Sequence, residues 1–414
     1  MTVTRDDALV LDTSDPLAPF RERYLVDPDG PIYLDGNSLG RPSRSVLAAI
    51  ERVVQREWAE GLVTSWEHWI DLPRQAGDTI APLIGAGAGE TIVSDSTSVN
   101  LYKLAAAALD ARPGRGVIVT DADNFPTDRY VLEGLARARG VELRVVEAST
   151  VEPLTADVLA TAIDDAALVS SSVVSYRSGA IAEVAAINEL AHSAGALTLW
   201  DLSHAVGSVP VDLVGTDSDL AIGCTYKYLG GGPGAPAFLW VHPNLQDTLT
   251  QPIWGWFGHD RQFAFEPEYR PAAGIDRFTV GTPPIVPVAA VAAAVADVAE
   301  AGIEAIHDKA RRATDLIVEI VDDRLTPHGA EVASPRDASV RGSHVAVRHP
   351  EGHALSAWLR ANGVIVDFRP PDVVRVAVAP LSTSYAEVWE GLDRMAKALE
   401  TGGHRDASTD HRVT

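Results

Sequence analysis

Cysteine and lysine are nearly missing from this chain. Cys224 is the only cysteine in 414 residues, which excludes an internal disulfide framework and any metal site built from clustered thiolates. Lysine occurs four times, at Lys103, Lys227, Lys309 and Lys397, while arginine supplies almost all the remaining positive charge. Positive charge is itself short. Thirty-four Lys and Arg against 57 Asp and Glu leave a net charge of -23 and a pI near 4.8, which argues against a nucleic-acid partner. No apolar run approaches the roughly 20 residues that span a bilayer, so no membrane partner is expected. The opening Met1-Thr2-Val3-Thr4-Arg5-Asp6-Asp7 is acidic and lacks the apolar region of a signal peptide. Together these absences point to a reduced, cytoplasmic setting, with no metal site expected.

What is present describes a globular protein with a large core: 46% hydrophobic and 22% charged residues over a length that suggests two or three domains. Residues 1–45 read as an N-terminal arm that packs with a small C-terminal domain and carries a short strand at Pro31–Asp35. Helical spacing follows from Ser45 to Arg56. Beyond it, short β-rich runs near 91–94, 117–120, 143–146, 167–170 and 197–200 alternate with helical runs near 99–111, 128–139 and 183–194. This alternation predicts an α/β fold with a mostly parallel sheet, in which ligands bind beyond the carboxyl ends of the strands. Phe238–Val241 follows too soon for a helical crossover, so an antiparallel pairing is expected there. The expected units are a large domain at 46–290, a small α/β domain at 291–400 and a polar, disordered tail at 401–414.

Lys227 sits where chemistry would want an amine. The run Leu220-Ala221-Ile222-Gly223-Cys224-Thr225-Tyr226-Lys227 reads as a strand leaving its sheet, and Gly230-Gly231-Gly232 breaks the chain just after it. An amine forms a Schiff base with an aldehyde, and a guanidinium does not. Asp201 ends the strand Leu197–Trp200, 26 residues earlier. A carboxylate there would keep a pyridine nitrogen protonated, though Asp201 also suits a plain helix N-cap. Asp95-Ser96-Thr97-Ser98 follows another strand and opens a helix, a cradle for phosphate or an ordinary hydroxyl cap. An aldehyde anchor, a pyridinium partner and a phosphate site on one parallel sheet are what pyridoxal 5′-phosphate requires.

Six segments, in order, resemble the kynureninase family of fold-type I pyridoxal-phosphate hydrolases: Tyr33–Gly40, Asn124–Asp128, Asp201–Gly207, Thr225–Leu229, Gly255–His259 and Gly281–Ile285. The resemblance covers nearly the whole chain. It implies an aspartate aminotransferase-like architecture and hydrolytic cleavage of L-kynurenine to anthranilate and alanine. By the same resemblance, Lys227 would hold the cofactor covalently and later move protons at Cα. Asp201 would pair with the pyridine nitrogen, with His204 beside it and Phe125 over the ring. Thr97, Ser98, Thr127, Asp128 and Tyr226 would hold the phosphate and ring substituents. Tyr226 is also the expected proton donor. Trp256 and Thr282 would reach the phosphate of a neighbouring subunit in a homodimer.

For substrate, the resemblance assigns the α-carboxylate to Arg375, with Asn37, Ser38 and Trp66 nearby. A solvent-facing strand position is the alternative for Arg375, and wall packing the alternative for Trp66. Trp66 and Gly281-Thr282 depart from the animal-type pattern, which implies L-kynurenine in preference to 3-hydroxykynurenine, in tryptophan catabolism or on a route to NAD. Two rivals share the fold. A cysteine desulfurase-like lyase would need a catalytic cysteine remote from the lysine, whereas Cys224 reads as core. An aromatic aminotransferase is not separated by fold alone.

Overall fold

Chemistry-bearing residues collect at one edge of a seven-stranded sheet in the computed structural model, which describes residues 3–409. The N-terminal arm contributes β1 (Ile32–Tyr33). The large sheet is built from β2 (Thr91–Val93), β3 (Val117–Asp121), β4 (Glu142–Val146), β5 (Ala166–Ser172), β6 (Leu197–Asp201), β7 (Leu220–Gly223) and β8 (Phe238–Val241). Its order is β2-β8-β7-β6-β5-β3-β4. All neighbours from β7 to β4 are parallel, and β8 alone runs against both its partners, as its short connection requires. Helices cover both faces, so β3, β5, β6 and β7 are buried almost throughout and read as nearly continuous apolar runs. Trp200 and Trp240 are fully buried, with indole N–H groups bonded to Asn188 (2.9 Å) and Glu90 (3.1 Å), so neither leaves an orphan donor.

A second core lies around an antiparallel sheet of order β12-β13-β10-β9, made of β9 (Glu331–Val332), β10 (His344–Arg348), β12 (Asp367–Arg369) and β13 (Val373–Ala377). Helices Gly352–Ala361 and Tyr385–Thr401 pack on it through Leu355, Leu359, Val388 and Leu392. The arm joins this core: β1 pairs in parallel with β11 (Val364–Ile365), and Ala8, Ile32 and Leu34 are buried there. An expected boundary at residue 290 falls inside the helix Ile285–Ala301. Val288, Val291 and Val295 of that helix belong to the first core. The next helix, Ile303–Ile320, bridges the two, with Ile306 in the first core and Leu316 and Ile317 in the second.

The expected disorder from residue 401 does not hold for its first part. Thr401 closes a helix, Gly402 caps it at φ +70°, and Gly403–Asp406 forms a 3-10 turn that buries His404 against the Ala398 carbonyl (2.9 Å). Residues 410–414 lie outside the described residues. The N-terminal helix Arg5–Thr13 escaped the sequence reading, although Thr4 and Asp7 form a capping box at its start. No single helix among the described residues is long and apolar enough to cross a membrane.

Candidate active site

Parallel strands leave the sheet at one edge, and their first loop residues enclose a cavity of about 260 Å³. From β6 come Asp201, Ser203 and His204, and from the end of β7 come Tyr226 and Lys227. The loop after β3 brings Phe125, Thr127 and Asp128, and the helix after β2 brings Ser96, Thr97 and Ser98. Nine residues singled out in the sequence therefore share one space. Ser96 is the N-cap, its hydroxyl accepting from Val99 N–H, which leaves Thr97 and Ser98 in the first turn facing the cavity. Asp95 would repel a phosphate, but Lys103 takes its carboxylate away at 2.6 Å. Asn124 sets the Phe125 turn, its Oδ1 accepting from Phe125 N–H (2.8 Å) and from Ser172 Oγ (2.9 Å). Gly40 lets the arm reach the site: a Cβ there would stand 2.3 Å from the Lys227 carbonyl oxygen.

Lys227 differs from the other three lysines in its partner. Lys103, Lys309 and Lys397 are each ion-paired with an aspartate, at 2.6, 2.7 and 2.6 Å. Among the described residues, Lys227 makes no ion pair and instead places Nζ 2.7 Å from His204 Nε2 and 5.9 Å from the Phe125 ring centroid. Burial holds its pKa below the usual lysine value, against the opposing pull of Cys224 and Asp201. Asp128 and Asp201 line the same space, and burial together with the charge of Asp201 pushes the Asp128 carboxyl well above its ordinary range. Asp201 also accepts from Ser203 N–H at 2.7 Å, but this is a turn contact: no helix lies among the described residues between β6 and β7, so the cap reading of this residue does not hold. Tyr226 and Cys224 are both pushed up by burial, which keeps phenol and thiol protonated. A buried neutral thiol donating to the Ser203 carbonyl is no desulfurase nucleophile.

Arg375, expected on the substrate side, meets the cavity through Tyr176. Arg375 is fully buried on β13, not solvent-facing. Its guanidinium donates to the Asp367 carboxylate, to Ser38 Oγ (3.2 Å) and to the Tyr176 carbonyl, while Nε has no partner. Burial lowers its pKa to about 10. Asn37 is also buried, with both amide atoms unpaired. An open guanidinium N–H, a hydroxyl and an unpaired amide suit a small carboxylate.

Trp66, Trp256 and Thr282 sit elsewhere. Trp66 packs edge-on to Trp69 (5.5 Å) and against Phe257 (6.2 Å), in a wall that also holds Val53 and Ile285. Thr282 and Phe257 line a separate cleft of about 500 Å³, and Trp256 stands over Phe257 at 4.6 Å. Trp254, Phe263 and Phe265 beside them are 59–76% exposed. The sequence reading missed Tyr176, which lines the cavity edge-on to Phe125 (5.2 Å) and whose hydroxyl accepts from Arg177 (3.0 Å). It also missed Asp367 and His344. A tyrosine four residues past a strand was the only available signal, and it is a weak one. In the small unit, His349, Glu351 and His404 bring ligand atoms within 4.8 Å, but both ring nitrogens of His349 are engaged by His328 O and Glu351 N–H.

A family model described as the kynureninase C-terminal domain matches residues 306–395. Kynureninase of Pseudomonas fluorescens is 43% identical to this chain over 421 residues, covering 99% of it and 100% of the relative. The chain belongs to the kynureninase family. Kynureninase of Burkholderia pseudomallei (strain 1106a) is 42% identical, with 97% of each protein covered. Among solved structures, a cysteine desulfurase from Thermococcus onnurineus NA1 superposes with a TM-score of 0.80 at 20% identity, covering 97% of this chain and 100% of that one. A cystine C–S lyase complexed with cysteine persulfide gives 0.79 at 18% identity, covering 89% and 98%. These likenesses place the fold with the fold-type I pyridoxal-phosphate enzymes. Kynureninase-family membership, in contrast, rests on sequence alignment over the whole length.

Proposed function

We propose that this enzyme, a pyridoxal-phosphate hydrolase of carbon–carbon bonds, cleaves the Cβ–Cγ bond of L-kynurenine with water, releasing anthranilate and L-alanine. The observation that carries the reading is the convergence of Lys227, the Asp128–Asp201 pair and the Thr97–Ser98 helix start on one cavity. The residues fit the cofactor: an amine for its aldehyde, carboxyls for its ring nitrogen, Phe125 for its ring face and helix N–H groups with hydroxyls for its phosphate. Bound there, pyridoxal phosphate supplies a conjugated sink for the electrons of the substrate α-carbon.

The protein's own groups do the rest. Lys227 anchors the cofactor and, with a depressed pKa, takes the Cα proton as a free amine. Asp201 holds the ring-nitrogen proton, and Asp128 shares that load. Arg375, with Ser38 and Asn37, grips the α-carboxylate and sets the reacting bonds relative to the ring. Tyr226, kept protonated by burial, donates to the oxygen that gains charge on the γ-carbon. Trp256 and Thr282 complete the phosphate site of a neighbouring subunit in a homodimer; the exposed aromatics around them support this. Trp66 and Gly281-Thr282 favour L-kynurenine over 3-hydroxykynurenine, since no added group is there to bond the extra hydroxyl. The setting is the cytoplasm, in tryptophan breakdown or on a route to NAD.

Incubation of the cofactor-loaded protein with L-kynurenine tests the reading. Anthranilate and alanine in equal amounts are expected. Kynurenic acid in their place would make the enzyme an aminotransferase.

A further inference from the structure

The hairpin that follows β5 is where the small unit docks on the large one. Val174 pairs with Ile181, and Ala180 pairs with Arg341 on the segment leading into β10. Ile181 N–H donates to the Val340 carbonyl (3.0 Å), Gly342 N–H to the Gly179 carbonyl (2.8 Å) and Ser334 Oγ to the Ser178 carbonyl (2.6 Å). At the tip stand Tyr176 and Arg177. Tyr176 is buried and lines the cavity, so one short turn meets both the seam and the site.

Two arginines cross the seam there in opposite directions. Arg375, on the small sheet, donates from Nη1 to the Tyr176 carbonyl. Arg177, on the hairpin, donates from Nη1 to the Pro370 carbonyl (3.1 Å), between β12 and β13. Arg177 also donates from Nη2 to the Tyr176 hydroxyl oxygen (3.0 Å) and from Nε to Asp123 (2.7 Å), on the loop that runs from β3 to Phe125. A guanidinium holds its N–H groups in one plane, so an acceptor at each of its three nitrogens fixes the fork; a flexible ammonium would not be held so. Carbonyl and hydroxyl, the two polar ends of Tyr176, are thus each gripped by an arginine that spans the two units. Between them the ring stands T-shaped to Phe125, with centroids 5.2 Å apart and planes at 81°. Packing in the cavity wall would need the ring alone, and phenylalanine would serve. The hydroxyl bonded to Arg177 adds a fixed direction.

We propose that Tyr176 is a positioning residue for the cofactor ring: held by Arg375 at its carbonyl and by Arg177 at its phenol, it carries the seating of the small unit to Phe125. Phe125 then lies on the cofactor ring at one height and tilt only when the seam is closed. Arg375 grips the substrate α-carboxylate in the reading above, so one arginine touches both the substrate and the residue that braces the ring. Arg177 acts through Tyr176 and touches neither substrate nor cofactor.

This inference rests on Phe125 covering the cofactor ring, and its deciding measurement avoids turnover. The full chain is loaded with pyridoxal phosphate, and the visible circular dichroism of the cofactor is recorded without substrate, scaled to the cofactor bound. Tyr176→Phe keeps the ring and loses only the contact with Arg177. It should lower the cofactor signal by about half, with far-UV circular dichroism unchanged. Arg177→Gln should lower it to a similar extent. The double variant should match Tyr176→Phe, because two residues on one path do not add. A cofactor signal unmoved by Tyr176→Phe overturns the proposal, and so does a second full loss when Arg177→Gln is added to it. With L-kynurenine, Tyr176→Phe should lower kcat about three- to tenfold and change KM less than about twofold, as expected for one lost hydrogen bond that orients without binding substrate. A raised KM at unchanged kcat would make Tyr176 a substrate contact and overturn the positioning role. If the cofactor signal responds as stated but L-kynurenine yields no anthranilate, the proposed function fails and this inference stands.

Discussion

Asp128 and Asp201 reach the same cavity from the chain beyond two different strands, close enough for the charge of Asp201 to oppose ionisation of Asp128. Two such groups in a buried space cannot both ionise cheaply, so one holds a proton. Asp128 carries the raised value, first through burial and then through Asp201. A carboxyl raised in the folded state is protonated there while the unfolded chain has already ionised. Stability of the cofactor-free protein then falls as pH rises from the ordinary carboxylate range through the folded value. Asp128→Asn does not titrate. It should melt higher than the parent at about pH 8 and match it near about pH 3.5, below the ordinary carboxylate pKa. Thermal melts at the two pH values check this, and equal midpoints at both would mean the pair is not strained.

Lys227→Ala should abolish turnover and leave far-UV circular dichroism unchanged, because among the described residues the amine makes a single hydrogen bond, to His204. Borohydride should label the parent protein at this side chain after pyridoxal phosphate is added, and should leave the variant unlabelled.

Asp201→Asn should still bind cofactor through the phosphate cradle and the lysine. Its kcat should drop by a factor on the order of 100 or more, since an amide cannot hold the ring-nitrogen proton in place. Anthranilate fluorescence and cofactor absorbance, followed together, separate lost chemistry from lost binding.

Arg375 sits against Asp367, which also faces Arg369 at 3.0 Å. Arg375→Ala removes a buried cation from a buried carboxylate and should cost about 3–5 kcal/mol of stability, so its kinetics are hard to read. Arg375→Lys keeps the charge but loses the planar fork. It should raise KM for L-kynurenine about tenfold or more with a smaller change in kcat, and an unmoved KM places the carboxylate clamp elsewhere.

Lys103 links three parts of the fold: it donates to Asp95 at 2.6 Å, on the loop before the helix Thr97–Asp110, and to the Phe278 carbonyl at 2.7 Å. Lys103→Met preserves volume but takes the cation from Asp95, which sits at φ +51° and keeps the Ser94 hydroxyl as a partner at 2.8 Å. A loss of about 3 kcal/mol is expected from denaturant melts, together with weaker cofactor binding.

Much of this site was legible along the chain because of how βα units fold. Strands of a parallel sheet all end at the same edge, so residues just past strand ends converge whatever lies between them. Lys227, Asp201, Phe125 and Thr97-Ser98 each stand there, and the amine was conspicuous because lysine is so scarce. The strands themselves were legible because burial on both faces leaves continuous apolar runs.

Tertiary packing decided the rest. The linear order holds no sign that Asp128 would come to lie beside Asp201, that Asp367 would occupy part of the Arg375 fork, or that Tyr176 would brace Phe125. Nor does it hold the meeting of His204 and His344. Periodicity reports which face of an element is buried; it is silent about which polar groups of distant elements meet inside. The helix Ile285–Ala301 shows the same limit, since an evenly apolar helix can be assigned to either core until packing places it. Composition and strand order determined the sheet, its reactive edge and the amine upon it. Contacts between residues far apart in the chain determined that amine's partners, because those contacts exist only once both cores have formed.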